Sequence, residues 1–141
     1  MIVLDTNVVS EPTRASPSPA VGRWFRRVTA SDLHTTAITE AEILLGLELM
    51  PRGRRKEELE RATACMFQRL LFGRVLAFDR AAAREFASIA AERDRMGRPI
   101  KEADAQIAAI ARVHGASIAT RNLRDFEHCG IALIDPWSTK D

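Results

Sequence analysis

Five side chains stand where acid, amide and metal chemistry could be done: Asp5, Glu42, Asp104, Asn122 and Asp125. Asp5 follows the apolar run Ile2-Val3-Leu4 and opens the polar triplet Asp5-Thr6-Asn7. Such a run closed by such a triplet predicts a buried strand and then a turn, with the carboxylate at the strand's carboxyl end. Taken alone, it is equally an Asx-turn or N-cap acid. Glu42 lies three residues after Thr39, the spacing of a capping box in which the glutamate folds back onto the N-cap amide. Asp104 falls in the first turn of a helix, where the macrodipole stabilises any carboxylate. Asn122 and Asp125 close the run Thr120-Arg121-Asn122-Leu123-Arg124-Asp125, where they can be an N-cap and its N3 partner.

The functional reading of these residues rests on their coincidence, because each follows a strand or opens a helix. Carboxylates gathered at one crevice repel one another unless something compensates. A hard divalent cation does so: Mg²⁺ takes oxygen ligands, commonly one or two carboxylates together with waters and a substrate phosphate. Such a site activates water and stabilises a phosphodiester undergoing in-line displacement. Other chemistries are poorly supplied. There is no GxxxxGK[ST] or GxGxxG phosphate loop and no GxSxG elbow, and His34, His114 and His128 lack the HExxH spacing. His114, beside Gly115, reads as a helix C-terminal residue, and Cys65, inside an amphipathic segment, as a core thiol.

The elements that must position these groups are punctuated clearly. Strands are predicted at 2–4, 33–37, 75–78, 117–119 and 131–134. Helices are predicted at 19–29 behind Pro19, from Thr39 to Met50, from Arg54 to Phe72, after Asp79, and from Glu102 to Val113 ahead of Gly115. The helix after Asp79 is expected to bury Ala83, Phe86, Ala87 and Ala90. Short strands alternating with helices of ten or more residues predict an α/β fold, a parallel sheet covered on both faces. In such sheets binding groups collect outside the carboxyl ends of the strands.

Length and composition fit this frame. The 141 residues predict a single domain over 1–141, long enough to bury a core without disulfide or metal. With 46% hydrophobic and 28% charged residues, disorder and fibrous folds are excluded. The formal net charge of +2 says little about a partner. Two cysteines without CxxC or histidine pairing indicate neither a disulfide framework nor a thiolate zinc site. Asp5 interrupts any leader-like start, and no apolar stretch approaches the 18 or so residues of a membrane span. The expectation is a cytoplasmic protein with no membrane partner.

The segment Val3-Leu4-Asp5-Thr6-Asn7-Val8-Val9-Ser10-Glu11 resembles the opening motif of the PIN-domain nucleases, specifically toxins of the VapC/FitB type. Thr36 to Gly46 resembles the second motif, Ala103-Asp104-Ala-Gln-Ile107 the third, and Ala119 to Phe126 with Asp135-Pro136-Trp137 the fourth and the closing segment. The resemblance covers essentially the whole chain. It implies a PIN-like α/β fold, a mostly parallel five-stranded sheet flanked by helices on both faces. It implies a ribonuclease dependent on Mg²⁺ or Mn²⁺ and acting on RNA phosphodiester bonds. It also implies the toxin half of a type II toxin–antitoxin pair, homodimeric and held inactive by a small VapB/FitA-like antitoxin. Carried over residue by residue, Asp5 and Asp104 are metal ligands and Glu42 is a site carboxylate. The fourth motif departs from the family, because Asn122 stands where an aspartate is expected two residues after the threonine. Asn122 is therefore read as orienting a metal-bound water, and Asp125 as the weaker candidate for the fourth carboxylate.

Two other readings stay open at this point. A phosphotransfer enzyme of the haloacid dehalogenase type would place a nucleophilic aspartate at Asp5, although Asn7 stands where its second aspartate belongs. A non-catalytic RNA- or protein-binding module would keep the fold alone. For RNA contact, residues 50–74 hold seven basic side chains against three acids, a run that is more often a solvated helix face. Without tyrosine, phosphate contacts rather than base stacking should dominate RNA affinity.

Overall fold

The computed structural model describes residues 1–138, and residues 139–141 of the expected domain lie outside the described residues. Five strands form one sheet: β1 (Ile2–Leu4), β2 (Leu33–Thr36), β3 (Val75–Leu76), β4 (Ser117–Ala119) and β5 (Leu133–Ile134). Their order is β3-β2-β1-β4-β5, and every pairing is parallel. The chain moves from β1 outward to β2 and β3, then crosses back to lay β4 on the other side of β1. The switch point of the sheet thus lies between β1 and β4, where a doubly wound sheet opens its binding crevice.

The helices are α1 (Thr6–Ser10), α2 (Pro19–Arg27), α3 (Ala37–Glu48), α4 (Arg54–Cys65), α5 (Arg80–Arg95) and α6 (Glu102–Val113). Successive strand residues point to opposite faces, and the core divides accordingly. Val3 and Ile118 pack with Ala82, Ile89 and Ile107 of α5 and α6, whereas Leu4 and Ala119 pack with Val8, Val9, Trp24 and Leu71 on the other face. Helices cover both faces, as expected. α6 carries six buried residues, among them Ala105, Ile107 and Ile110. It stops where Gly115 adopts φ +61, a left-handed conformation costly for any other residue, and the Ala116 N–H then reaches back to Ala111 O at 2.9 Å.

Several predicted boundaries move. The turn expected at Asp5-Thr6-Asn7 is instead the cap and start of the short helix α1, Thr6–Ser10, followed by a 3₁₀ turn at Glu11–Thr13. Val8 and Val9 are poor helix formers, and burial in the core overrides their preference. Helix α3 begins at Ala37 rather than at Thr39, because Thr36 takes the N-cap and its Oγ1 accepts the Thr39 N–H at 3.1 Å. The segment 54–72 is α4 followed by a π-helical turn over Met66–Leu70. Helix α5 buries Ala82, Ile89 and Arg93 while Ala83 and Ala87 are exposed, so its inward face is rotated from the expected one. Cys65 is exposed and is no core thiol; Cys129 is buried.

Candidate functional site

The site is built on the ends of β1 and β4. Asp5 follows β1 and caps α1, its Oδ1 accepting the Thr6 N–H at 2.8 Å. Its Oδ2 accepts from the Thr120 hydroxyl at 2.8 Å. Thr120 follows β4, and its Oγ1 also accepts the Asn122 N–H at 3.1 Å. One threonine therefore fixes the Asp5 carboxylate and the start of the 3₁₀ turn at Leu123–Phe126 together. Asp5 is only 6% exposed. Burial raises its pKa above the usual carboxylate value, the Thr120 and Thr6 hydrogen bonds offset part of the rise, and the charges of Glu42 and Asp125 add to it.

Glu42 sits in the second turn of α3, exposed, and its Oε1 accepts from the Thr6 hydroxyl at 3.1 Å. The capping-box reading of Glu42 is overturned. Thr39 is buried at the third helical position, so nothing at Thr39 needs a box partner at Glu42. Asp104 lies in the first turn of α6. Its pKa is raised to about 6, first by burial and then by the negative charges of Asp5, Asp125 and Glu42, against a smaller opposing pull from Lys101. The cap reading of Asn122 also changes. Its side chain makes no capping bond, and the Asp125 N–H bonds instead to the Asn122 backbone carbonyl at 3.1 Å.

Asp5, Glu42, Asp104, Asn122 and Asp125 all line one cavity of about 280 Å³, with Thr6, Asn7, Lys101 and Ala103. The structure thus brings all five sequence candidates together. Four residues that shape the site escaped sequence reasoning. Thr6 and Thr120 hold Glu42 and Asp5, and a hydroxyl beside a strand-end acid is their only sequence signal. Lys101 supplies a cation to the cavity. Arg93 is 6% exposed and donates from Nε to Arg98 O at 2.8 Å and from Nη1 to the carbonyls of Asp125 and Glu127 at 3.1 and 2.9 Å. It ties the turn carrying Asp125 to α5. Its signal was present, since 82, 86, 89 and 93 run at helical spacing and put Arg93 on the apolar stripe.

An all-oxygen set of this kind suits a hard cation such as Mg²⁺ or Mn²⁺ and excludes a soft one. Among the described residues no three His, Cys, Asp or Glu side chains stand close enough to hold an ion between them. The donors fit a cation that keeps several waters and takes one or two carboxylates. Burial and the neighbouring acids disfavour the charged forms of Asp5 and Asp104, and a bound cation would offset both effects.

The comparisons with known proteins agree with this geometry. The family model for the PIN domain matches residues 2–131. The chain is similar to the VapC ribonuclease Y4jK of Sinorhizobium fredii, 42% identical over 137 residues, 97% of this chain and 98% of that protein. It is similar to Toxin FitB of Neisseria gonorrhoeae, 37% identical over 97% of this chain and 99% of that protein. Among solved structures, the FitAB complex bound to an IR36 DNA fragment superposes with a TM-score of 0.93 at 36% identity, covering 100% of this chain and 99% of that one. A fully parallel sheet with an acid-lined cleft at its switch point, and likeness over nearly the full length, lead to one conclusion: the chain belongs to the PIN-domain family, among its VapC/FitB-type toxins.

Proposed function

We propose that the chain is a divalent-metal-dependent endoribonuclease and the toxin component of a type II toxin–antitoxin pair. The observation that carries this reading is the convergence of Asp5, Glu42, Asp104 and Asp125 on one cleft at the β1–β4 switch point. The similar protein of Sinorhizobium fredii is named a ribonuclease, which supports RNA as the substrate. Asp5 and Asp104 are the residues that would hold Mg²⁺ or Mn²⁺. Once bound, the ion would neutralise the cluster, polarise the phosphodiester and make a water more acidic.

The chain's own residues supply the remaining parts. The Thr120 and Thr6 bonds fix the orientation of Asp5 and use one lone pair of each oxygen, leaving the other for an ion. Glu42 is anchored through Oε1 alone. Exposed at the mouth of the cleft, it is the carboxylate suited to take the proton of the attacking water. Asn122 offers an uncharged oxygen to orient that water, and Asp125 adds a further negative charge from the turn that Arg93 braces. The haloacid dehalogenase reading loses ground because Asn7 Oδ1 accepts the Arg121 N–H at 3.5 Å, an anchoring task rather than acid–base work.

For partners, the FitAB complex contains a chain similar to this one, which supports an antitoxin partner here; a small antitoxin that silences the chain in the cytoplasm is the expected arrangement. A groove of about 350 Å³ adjoins the cleft, sharing Thr6 and Glu42 with it and lined by Val9, Ile43, Leu47 and Phe67. Such an apolar surface suits a partner segment that covers the acids, and a homodimer is the expected assembly. The test is cleavage of total RNA in Mg²⁺ and in EDTA, with and without the protein encoded by the adjacent gene. Cleavage only with metal, suppressed by that protein, is expected. RNA binding without cleavage would favour a non-catalytic module.

A further inference from the structure

Lys101 breaks a local rule at the edge of the cleft. It takes the N-cap of α6 and makes no side-chain capping bond there. Ser, Thr, Asp and Asn are the residues that stabilise this position, and an ammonium at a helix N-terminus faces the positive end of the macrodipole. Departures of this kind are expected where function overrides folding preference. Among the described residues, Lys101 is the one cationic side chain lining a cavity that also holds Asp5, Glu42, Asp104 and Asp125. Its charge is felt there, since it opposes the rise in the Asp104 pKa. Yet among the described residues Lys101 forms no ion pair within 4.0 Å, its backbone N–H and C=O aside it makes no bond, and its side chain is exposed. An ammonium that was there only to neutralise the acids would have closed onto one of them.

We propose that Lys101 is a substrate-contacting residue, its ammonium donating to a non-bridging oxygen of the RNA phosphate in the cleft. The proposal rests on the ribonuclease reading and adds to it the group that recognises the phosphate. A polyanion entering a cavity lined by four carboxylates meets repulsion that one divalent ion only partly relieves. A lysine on a flexible stem reaches the phosphate as a point charge and leaves the carboxylates free for the ion. Because the ammonium and the divalent cation are like charges in one small cavity, Lys101 weakens metal binding while it strengthens RNA binding. That opposition separates the proposal from a structural role, in which losing the lysine would harm both.

The experiment uses the full chain as wild type, Lys101→Met and Lys101→Arg. Mn²⁺ affinity is measured by calorimetry without RNA, and Mg²⁺-dependent cleavage of a short RNA is followed over a salt series. Loss of one charge-assisted phosphate contact should lower kcat/KM of Lys101→Met by about tenfold or more, chiefly through KM. The log–log salt slope should become shallower by about 0.7, the value for one phosphate contact on a single strand. Mn²⁺ affinity should be unchanged or tighter, and Lys101→Arg should restore most of the cleavage. Lys101→Met cleaving within about twofold of wild type would overturn the proposal. So would Mn²⁺ affinity falling in step with cleavage. A wild-type chain that cleaves no RNA in Mg²⁺ would overturn the ribonuclease reading and this proposal together, and the wild-type arm reveals which has failed.

Discussion

At the scale of single residues, the site is an unfavourable arrangement held in place by hydroxyls. Asp5 is buried, yet it is fixed by bonds from Thr120 and Thr6 rather than by a cation. Removing a charge should therefore end activity without weakening the fold. Asp5→Asn and Asp104→Asn should lose cleavage by about a hundredfold or more, as expected when a metal ligand is lost. Asp104→Asn should also melt no lower than wild type in EDTA, since repulsion is relieved. Near-normal cleavage by either variant would remove the assignment. Glu42→Gln should abolish most cleavage with little change in melting temperature, because Glu42 takes no part in capping α3. The Asn122 and Asp125 pair ranks by the same logic. Asn122→Asp should preserve or raise Mg²⁺ affinity, and Asp125→Asn should reduce cleavage by less than Asp104→Asn does. Equal losses in a Mg²⁺ titration of cleavage would show that Asp125 is the true fourth acid. The five polar candidates were legible in the sequence because acids at strand and helix ends are visible as a pattern. The clamps Thr6, Thr120 and Arg93 were not, because what each holds is settled by contacts between segments up to 115 residues apart.

At the scale of elements, legibility followed punctuation. Helix α6 was read from Glu102 to Val113 because its apolar stripe ends on Gly115, and α2 because Pro19 opens it. Helix α1 was missed because five residues with two adjacent valines carry no helical period, and only the packing of Val8 and Val9 makes them a helix. The start of α3 was misplaced because two threonines three residues apart, Thr36 and Thr39, both look like caps. The structure distinguishes them, and so does mutation. Thr36→Ala removes the hydroxyl that accepts the Thr39 N–H and should cost about 1 kcal/mol of stability, the ordinary loss for an N-cap. Thr36→Ser should recover most of it. Thermal melts in which Thr36→Ala equals wild type would return the cap to Thr39.

At the scale of the whole molecule, crowded acids at the switch point couple folding to pH and to metal. Folded Asp104 keeps its proton up to about pH 6, whereas the unfolded chain releases it near the ordinary aspartate value of 3.8. Between those values the folded state binds more protons than the unfolded one, so this group makes stability fall as pH rises. Burial of Asp5 acts in the same direction. After screening by solvent, the Asp104 contribution is about 1 kcal/mol. Wild type minus Asp104→Asn melting curves in EDTA should therefore show wild type losing ground from pH 4 to pH 7. Mg²⁺ should reverse the loss by binding the folded state alone. A difference that grows in favour of wild type as pH rises would mean that Asp104 is compensated by a partner rather than by an ion. The parallel sheet and the place of the crevice at its carboxyl edge were implied by alternating strands and helices, but the strand order, and with it the side on which β4 pairs, was not, since no local signal encodes which neighbour a strand chooses. The central claim is that this crevice cleaves RNA through a divalent ion held by Asp5 and Asp104. Its most direct measurement is the rate of cleavage of one defined RNA by wild type and Asp104→Asn as Mg²⁺ is titrated from zero. Wild type should rise from no cleavage in EDTA to saturation, with Asp104→Asn flat throughout. Cleavage in EDTA, or an Asp104→Asn curve that overlays wild type, would contradict the claim.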